Sequence, residues 1–264
     1  MRPAQQLLLL SDLHLSADTP RTLAAVCTAL RVHAASGTAI ALLGDIFEYW
    51  VGDDHDTDVA EALAQACQKA AHQGANLYFM HGNRDFLVGE RYLQRCGMTL
   101  LPDPWHGVLF STPTALSHGD MLCTDDHAYQ QFRSMSRNPQ WQSDFLSKPL
   151  EQRVAYAQHL RAESMKNKAA SQLSQNGATA DIMDVNAATV VSAMAGQWPD
   201  GSQTPACVRL IHGHTHRPAE HDHQTTDGQS LTRWVLPDWD FDTPGAERGH
   251  LLRVDADGVT RLGL

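Results

Sequence analysis

The sequence predicts a layered α/β domain that carries a helical insertion. Strands and helices alternate over the first half of the chain, and strands return in the C-terminal part. Between them, from about Asp125 to Gly201, the pattern is largely helical. Such alternation is typical of parallel strands covered by helices. We therefore assign residues 1–124 and 202–264 to a core, and residues 125–201 to an insertion that forms a lid.

The first half contains several short apolar runs and two helical patterns. The runs at residues 6–10, 38–43 and 76–80 predict buried strands. Residues 20–35 have apolar positions at helical spacing, with Pro20 in the first turn and Gly37 past the end. An alanine-rich helix ends near Gln73. Residues 105–110 and 114–117 predict a hairpin that turns at Thr112-Pro113.

The insertion and the C-terminal part continue the pattern. The insertion has apolar points at Trp141, Phe145, Leu146, Leu150 and Val154. They predict either an ordinary helix-packing core or a groove for acyl chains. Residues 169–180 are rich in Ser, Gln and Asn, which is typical of a mobile segment. The final strands are predicted at residues 208–211, 229–236, 250–254 and 259–264.

Composition excludes several classes of protein. The chain has 264 residues, 42% of them hydrophobic, and a formal net charge of −10. Such a charge argues against a general nucleic-acid binder. The five cysteines are far apart and form no CxxC pair, which favours reduced, buried thiols in the cytoplasm. We expect no transmembrane span, and contact with a membrane surface remains open.

Polar clusters follow the predicted strands at equivalent positions. They are Asp12/His14, Asp45, Asn83, His118 and His214/His216. The carboxyl ends of parallel strands meet at one edge of a sheet, where ligand sites gather. Carboxylates, imidazoles and an amide oxygen suit hard or borderline divalent ions, and the set contains no thiolate of a structural zinc site. The number of ligands predicts two metals, which lower the pKa of a bound water to about 7.

The ordered motifs resemble those of the calcineurin-like metallophosphoesterases. The motifs are Asp12-Leu-His14, Gly44-Asp45, Gly82-Asn83-Arg84-Asp85, His118-Gly-Asp120 and Gly213-His-Thr-His216. The resemblance implies a four-layer sandwich of two mixed sheets flanked by helices. One position departs from the family, because Arg84 stands where a histidine usually protonates the leaving group. Arginine is no general acid near neutral pH, but its fork suits a phosphate.

Further segments resemble one lipid A branch of that family. They are residues 44–54, 81–87, 122–126 and 182–186. The resemblance implies hydrolysis of a diacylated UDP-sugar by water attack at the α-phosphate, which gives UMP and a diacylated sugar 1-phosphate. It also implies two Mn²⁺ ions, with other divalent ions as alternatives. The enzyme would be a peripheral protein on the cytoplasmic side of the inner membrane, and we expect a monomer.

The resemblance also implies a role for each site residue. Asp12, His14 and His216 would hold one metal, Asn83, His118 and His214 the other, and Asp45 would bridge. His212 would support the ligands without binding a metal. The implied substrate-binding residues are Asn83, Arg84, Asp126, Ser164 and His214. Beyond Ser164 the correspondence fails, which leaves Lys166, Asn167 and Lys168 as candidates for a further contact.

Some charged residues have plainer interpretations. Glu48, Asp53 and Asp54 are expected to form a solvated acidic loop, although they could tune the site. We expect Asp85 and Asp120 to anchor loops and to bind no metal. The arginines of the insertion predict either a solvated face or contact with an anionic membrane: Arg133, Arg137, Arg153 and Arg161.

Two other functions remain as alternatives. One is a metallophosphoesterase that acts on a soluble nucleotide or a phosphoprotein, against which Arg84 and the insertion argue. The other is a phosphoesterase-like scaffold that binds partners without catalysis. The presence of a ligand at every motif argues against the scaffold.

Overall fold

Eleven strands and seven α-helices are found in the part of the chain that the computed structural model describes, residues 1–173 and 184–263, with the backbone alone for 163–173. The strands are β1 (Gln6–Leu10), β2 (Thr38–Leu43), β3 (Asn76–Met80), β4 (Met98–Leu100), β5 (Trp105–Leu109), β6 (Thr112–Ser117), β7 (Arg209–His212), β8 (Glu220–Gln224), β9 (Ser230–Val235), β10 (Leu251–Asp255) and β11 (Gly258–Leu262). The α-helices are α1 (Pro20–His33), α2 (Asp58–His72), α3 (Glu90–Cys96), α4 (His127–Ser136), α5 (Pro139–Leu146), α6 (Leu150–Leu173) and α7 (Ala187–Met194).

The strands form two mixed sheets. The first has the order β11-β10-β1-β2-β3-β4, in which β1 to β4 are parallel and β10 and β11 are antiparallel. The second has the order β5-β6-β7-β9-β8, with β6, β7 and β9 parallel. Strands of both sheets therefore present their carboxyl ends to the loops that carry the polar motifs.

Alternation along β1 builds the layers. Leu8 and Leu10 pack with α1, α2 and α3 on one face of the first sheet. Leu7 and Leu9 point to the other face, because successive strand residues alternate, and they pack against Ile211 of the second sheet. Each such fully buried leucine contributes about 1.5–3 kcal/mol. The outer face of the second sheet packs on α7 through a third cluster. The predicted four-layer α/β sandwich is confirmed.

Local sequence explains where several helices begin. Thr57 Oγ1 accepts a 3.1 Å hydrogen bond from the amide of Ala60 at the start of α2. Asp126 and Asn138 cap α4 and α5 in the same way, and Pro139 occupies the first turn of α5. These side chains accept from amides that the first helical turn leaves without partners.

Several predicted elements need correction. The hairpin turns at Phe110-Ser111, whose φ angles of 49° and 68° are those of a tight two-residue turn, and Thr112 and Pro113 belong to β6. Short or exposed elements were missed, namely α3, β4 and β8. The residues of β8, Glu220–Gln224, are mostly polar and form a strand because they pair antiparallel with β9. Since they contain no apolar run, the sequence pattern does not predict this strand.

The apolar residues of the insertion largely pack on the core. Phe145 is buried, stacks on Trp141 with ring centroids 5.0 Å apart, and joins the cluster around α2 and α3. Leu150 and Val154 pack against the same cluster, whereas Leu146 is exposed. A helix-packing core therefore describes Trp141, Phe145, Leu150 and Val154 better than a groove for acyl chains does. The boundary of the insertion at residues 125–201 stays a prediction, although α7 within it forms the outer layer of the second sheet.

The four arginines of the insertion make polar contacts with the core. Arg133 pairs with Asp120 at 2.9 Å, and Arg137 donates to the carbonyl of Gly82 at 2.9 Å. Arg153 is buried and binds both carboxylate oxygens of Asp54. Arg161 lies 2.8 Å from Glu48. All four join the helices to the core, although the side chain of Arg161 is 36% exposed, and contact with a membrane stays a prediction.

None of the helices within residues 1–173 and 184–263 combines the length and the apolar character needed to cross a bilayer.

Candidate dinuclear metal centre

The polar motifs converge where strands of both sheets end. Asp12 and His14 follow β1, Asp45 follows β2, and Asn83 follows β3. His118, and His214 with His216, follow β6 and β7 of the second sheet. Their side chains form two adjacent groups of possible ligands, and in each the three ligand atoms lie within 4.8 Å of one another: Asp12, His14, His216, and Asp45, His118, His214.

Five of these residues have left-handed backbone. The φ angles are 55° at Asp12, 46° at His14, 54° at Asp45, 68° at His214 and 55° at His216. Each such non-glycine conformation costs on the order of 1–3 kcal/mol and persists where surrounding structure enforces it. Backbone strain at five residues whose side chains converge indicates that this region is selected to form a site and not to maximise stability.

Two motif glycines allow the ligand loops to approach. A Cβ at Gly82 would lie 2.2 Å from the amide nitrogen of Asp45 and 2.3 Å from its Oδ1. A Cβ at Gly213 would lie 2.3 Å from Oδ2 of Asp12. No side chain fits at either position, so glycine is required by close contact with the carboxylates.

The first group is centred on Asp12, His14 and His216. The Nε2 atoms of the two imidazoles lie 3.2 Å apart, and His216 Nε2 lies 3.4 Å from Asp12 Oδ1. The Asp12 carboxylate is held by the hydroxyl of Ser11 and by the amide of His214, which donates at 2.9 Å to Oδ2. A ligand carboxylate oriented in this way is ready to bind a cation.

The second group includes an amide oxygen. Asn83 Oδ1 lies 2.9 Å from both His118 Nε2 and His214 Nδ1. His118 Nδ1 donates to the carbonyl of Leu43 at 2.9 Å, which turns Nε2 toward the other ligands of the second group. Asp45 Oδ1 lies 3.6 Å from that Nε2. Two imidazole nitrogens therefore meet at Asn83 Oδ1, and the carboxylate of Asp45 lies beside one of them.

The electrostatics of the centre favour a cation. Burial lowers the pKa of His118, but the carboxylates of Asp45, Asp12 and Asp120 raise it to about 9. Burial also raises the pKa of Asp45 to about 7, aided by Asp85 and Asp12. The cluster of buried carboxylates thus attracts positive charge, which a divalent ion would supply. Burial and His118 lower the pKa of His214 to about 3, which keeps its imidazole in the neutral, metal-binding form.

The donor set fits two divalent ions. Each group combines carboxylate oxygen with imidazole nitrogen, and no thiolate belongs to either group among the described residues. The assignment of each ligand to one of two metals stays a prediction. The bridging role of Asp45 stays a prediction, since its carboxylate lies in the second group.

Residues expected to support the centre do so. Asp85 accepts hydrogen bonds from the amides of Ile46 and Gly82 at 2.7 and 2.8 Å, which pins the loops after β2 and β3 together. Asp120 accepts from the hydroxyl of Tyr129 and pairs with Arg133. His212 lies in neither ligand group, and its Nε2 accepts from Arg233 at 3.1 Å.

The residues predicted to bind substrate differ in how close they lie to the candidate metal centre and in whether their side chains are described. Arg84 lies in the loop after β3 and donates to Glu48 at 2.9 Å. Asp126 caps α4, and Tyr129 of that helix lies against the ring of His214. Ser164, Lys166, Asn167 and Lys168 belong to α6, but their side chains lie outside the described part of the structure.

The expected solvated acidic loop is wrong for Glu48 and Asp53, whereas Asp54 is exposed. Glu48 is 14% exposed and contacts His14, Arg84 and Arg161. Asp53 accepts from the amide of Gly89 at 2.8 Å, and Asp54 pairs with Arg153. Sequence reasoning considered Glu48 as a residue that tunes the site but preferred a solvated loop, and it missed Arg161 as a neighbour of the site. The signal available was the position of Glu48 three residues after Asp45.

Comparison with known proteins places the chain in a family. No family model matches it. It is 44% identical over 253 residues to UDP-2,3-diacylglucosamine hydrolase of Xanthomonas oryzae pv. oryzae (strain PXO99A), which covers 96% of both chains. The proteins of the same name from Xanthomonas campestris pv. campestris (strain ATCC 33913) and Stenotrophomonas maltophilia (strain R551-3) are 43% and 41% identical, again over 96% of both chains.

Solved structures are more distant. An archaeal phosphodiesterase matches 98% of this chain and 99% of its own with 11% identity and a TM-score of 0.43. Membership of a family is shown by the curated sequences, which match nearly the whole length of this chain. The chain belongs to the UDP-2,3-diacylglucosamine hydrolase family.

Proposed function

We propose that this protein hydrolyses the diphosphate of UDP-2,3-diacylglucosamine in lipid A biosynthesis. Water attacks the α-phosphorus, the bond from that phosphorus to the bridging oxygen breaks, and the products are UMP and 2,3-diacylglucosamine 1-phosphate. The observation that carries the proposal is the pair of ligand groups at one edge of the fold, in a chain that belongs to the family of that name.

The two groups would hold two Mn²⁺ ions, with other divalent ions as alternatives. Asp12, His14 and His216 would bind one, Asn83, His118 and His214 the other, and Asp45 would bridge. Bound there, the ions would lower the pKa of the attacking water and neutralise the developing charge on phosphate. The protein's own part is orientation, since buried hydrogen bonds fix Asp12, Asp45 and His118.

Arg84 would bind the substrate phosphate together with Asn83. Its backbone is pinned by the hydrogen bond from the amide of Trp50 to its carbonyl, at 3.0 Å. Its guanidinium is 18% exposed, so it is partly desolvated yet accessible. Such a fork matches two phosphate oxygens and is stronger in a partly dry site.

The leaving group explains why arginine is tolerated where the wider family has a histidine. Cleavage of an anhydride releases a phosphate monoester, whose second pKa is about 6. Such an oxygen departs near neutral pH without a proton from a general acid. Ester substrates release a far more basic alkoxide, which would need one. This argument favours the diphosphate over the alternative of a soluble phosphoester.

The insertion would supply the remaining contacts. Asp126, Ser164, Asn167 and Lys168 are proposed to bind substrate beside His214. The half-buried aromatic residues Phe86, Trp141 and Tyr156 lie next to one another and offer an apolar wall for an acyl chain. Each CH₂ buried there is worth about 0.8 kcal/mol.

The substrate also implies a location. A diacylated sugar nucleotide partitions into a bilayer with its charged head at the surface. We propose that the enzyme, as a monomer, meets this substrate as a peripheral protein on the cytoplasmic side of the inner membrane.

The test is hydrolysis of UDP-2,3-diacylglucosamine in ¹⁸O-water, with added Mn²⁺ and with chelator. Metal-dependent release of UMP that carries one ¹⁸O on phosphorus supports both the reaction and the point of attack. Label in the sugar phosphate would contradict attack at the α-phosphorus. Cleavage of a generic phosphodiester alone would favour the broader phosphoesterase, and inactivity of metal-loaded protein on both would favour the binding scaffold.

A further inference from the structure

Glu48 occupies a fixed place between the two loops that carry His14 and Arg84. Its amide donates to the carbonyl of Leu15 at 3.1 Å, and Leu15 pairs in parallel with Phe47 beyond the end of the sheet. On the other side, the amide of Trp50 donates to the carbonyl of Arg84 at 3.0 Å. These backbone hydrogen bonds therefore fix the backbone of Glu48 between the two loops.

The carboxylate makes three contacts from this position. Oε1 lies 2.9 Å from Nη1 of Arg84 and 2.8 Å from Nε of Arg161. Oε2 lies 3.5 Å from Nδ1 of His14, the ring nitrogen opposite the one that faces His216. A carboxylate on the outer nitrogen of a ligating histidine fixes its tautomer and raises its basicity.

The charges explain why an acidic residue belongs here. Arg84 comes from the loop after β3 and Arg161 from α6 of the insertion, and both reach one oxygen. Without an anion between them the two guanidinium groups would repel each other and move apart. With Glu48 present the cluster keeps one net positive charge, and the side chain of Glu48 is only 14% exposed. The local charge remains attractive to a phosphate.

We propose that Glu48 is a positioning residue that couples α6 to the metal centre. One oxygen orients His14, and the other holds Arg84 and Arg161 side by side where the substrate phosphate arrives. The position of the lid helix and the geometry of one metal ligand then depend on the same carboxylate. The inference rests on the proposed function for its purpose, although its test requires no substrate.

The test uses Glu48→Gln and two measurements on metal-free protein. Mn²⁺ affinity, measured by isothermal titration calorimetry, should fall by about 10- to 100-fold, the usual effect of removing a partner of a metal ligand. Hydrogen exchange of the backbone amides of residues 150–162, measured by mass spectrometry, should become faster. Glu61→Gln is the matched control, because it breaks an exposed ion pair with Arg95 at the surface of α2, and it should change neither quantity.

Arg161→Gln separates the effect of Glu48 on α6 from its effect on His14. It should speed exchange in α6 and leave Mn²⁺ affinity unchanged, because the contact with His14 persists. A double-mutant cycle between Glu48 and Arg161 should show coupling in the exchange rate. Unchanged Mn²⁺ affinity in Glu48→Gln, unchanged exchange in α6, or strict additivity would each overturn the proposal. Should Glu48→Gln not fold, Arg161→Gln decides, and unchanged exchange in that variant overturns the coupling.

These readouts distinguish this inference from the proposed function. A protein inactive on UDP-2,3-diacylglucosamine would remove the proposed reaction, yet the metal affinity and the exchange of α6 would still report on Glu48. Conversely, an active enzyme whose Glu48→Gln variant binds Mn²⁺ normally would retain the function and lose the coupling.

Discussion

The backbone amide of Arg84 donates a 2.8 Å hydrogen bond to Oδ1 of Asp45. This bond joins the loop after β3 to the carboxylate that follows β2, in the middle of the two ligand groups. Arg84 thereby helps to orient a proposed metal ligand through its backbone, whereas its side chain is proposed to bind phosphate. Substitutions at the two residues should accordingly have different consequences.

Replacing Asp45 should remove the proposed bridge between the metals. Asp45→Ala is expected to lower kcat by at least about 10³-fold, since no neighbouring carboxylate can take its place. Metal content, measured by mass spectrometry of the elements, should fall below two ions per chain. Near-normal turnover of this variant would mean that the two-metal hypothesis is wrong.

Replacing Arg84 should weaken binding of the substrate phosphate and leave metal binding unchanged. Arg84→Ala is expected to lower kcat/KM by about 10²-fold, because a charged donor to the transition state is lost while the backbone amide that binds Asp45 remains. Arg84→Lys should recover only part of the loss, since lysine lacks the planar fork. Steady-state kinetics on UDP-2,3-diacylglucosamine measures both, and an unchanged kcat/KM in Arg84→Ala would place the guanidinium away from the phosphate.

Adding one methyl group at Gly82 should damage the centre by contact alone. The new Cβ would lie 2.2 Å from the amide nitrogen of Asp45, so the loop after β3 must shift. Gly82→Ala is expected to lose about 1–3 kcal/mol of unfolding free energy and most of its metal affinity. Gly263→Ala is the control, because its Cβ meets nothing within 4 Å. Equal metal binding in both variants would contradict the close approach.

A buried carboxyl at Asp103 should make stability depend on pH. Burial, aided by Asp120, raises the pKa of Asp103 from 3.8 to about 6, and Oδ2 is buried without a hydrogen-bond partner among the described residues. Because the folded-state pKa is the higher one, the stabilisation is complete below 3.8 and is lost as the pH rises through 6.

Asp103→Asn should remove that dependence. Asparagine stays neutral and can still accept from Ser117, which donates to Asp103 at 2.7 Å. The variant should gain stability over the native protein as the pH rises from about 4 to 7.5, reaching about 2–3 kcal/mol. Urea unfolding at pH 5 and pH 7.5 measures the gain. An equal difference at both pH values would contradict the raised pKa.

Metal removal should destabilise the fold as well as stop catalysis. Ions that bind only the folded chain raise its stability, by about 2.7 kcal/mol at a concentration 100 times the dissociation constant. Thermal unfolding with chelator should therefore occur at a lower temperature than with Mn²⁺, and the shift should shrink in His118→Gln, which lacks one proposed ligand. A Tm that is the same with Mn²⁺ and with chelator would argue against an ordered metal centre.

Most of the centre could be predicted from the sequence because its residues obey a local rule. Asp12, Asp45, Asn83, His118 and His214 each come just after a segment whose length and composition favour a buried strand. Metal-binding side chains at the ends of such strands then predict a site at the edge of the sheet. The four-layer α/β fold followed from the same alternation of strands and helices.

Only the tertiary structure decided how the charged residues of the insertion and the acidic loop are used. Glu48 and Arg161 are 113 positions apart, and neither has a motif that marks it as a partner of the other. Their contact depends on how α6 packs against the core, and the exposure of a charge depends on that packing. A charge in sequence is solvated by default, whereas burial beside an opposite charge makes it part of a site. Sequence therefore determined the candidate metal ligands, and the packing of the insertion determined what surrounds them.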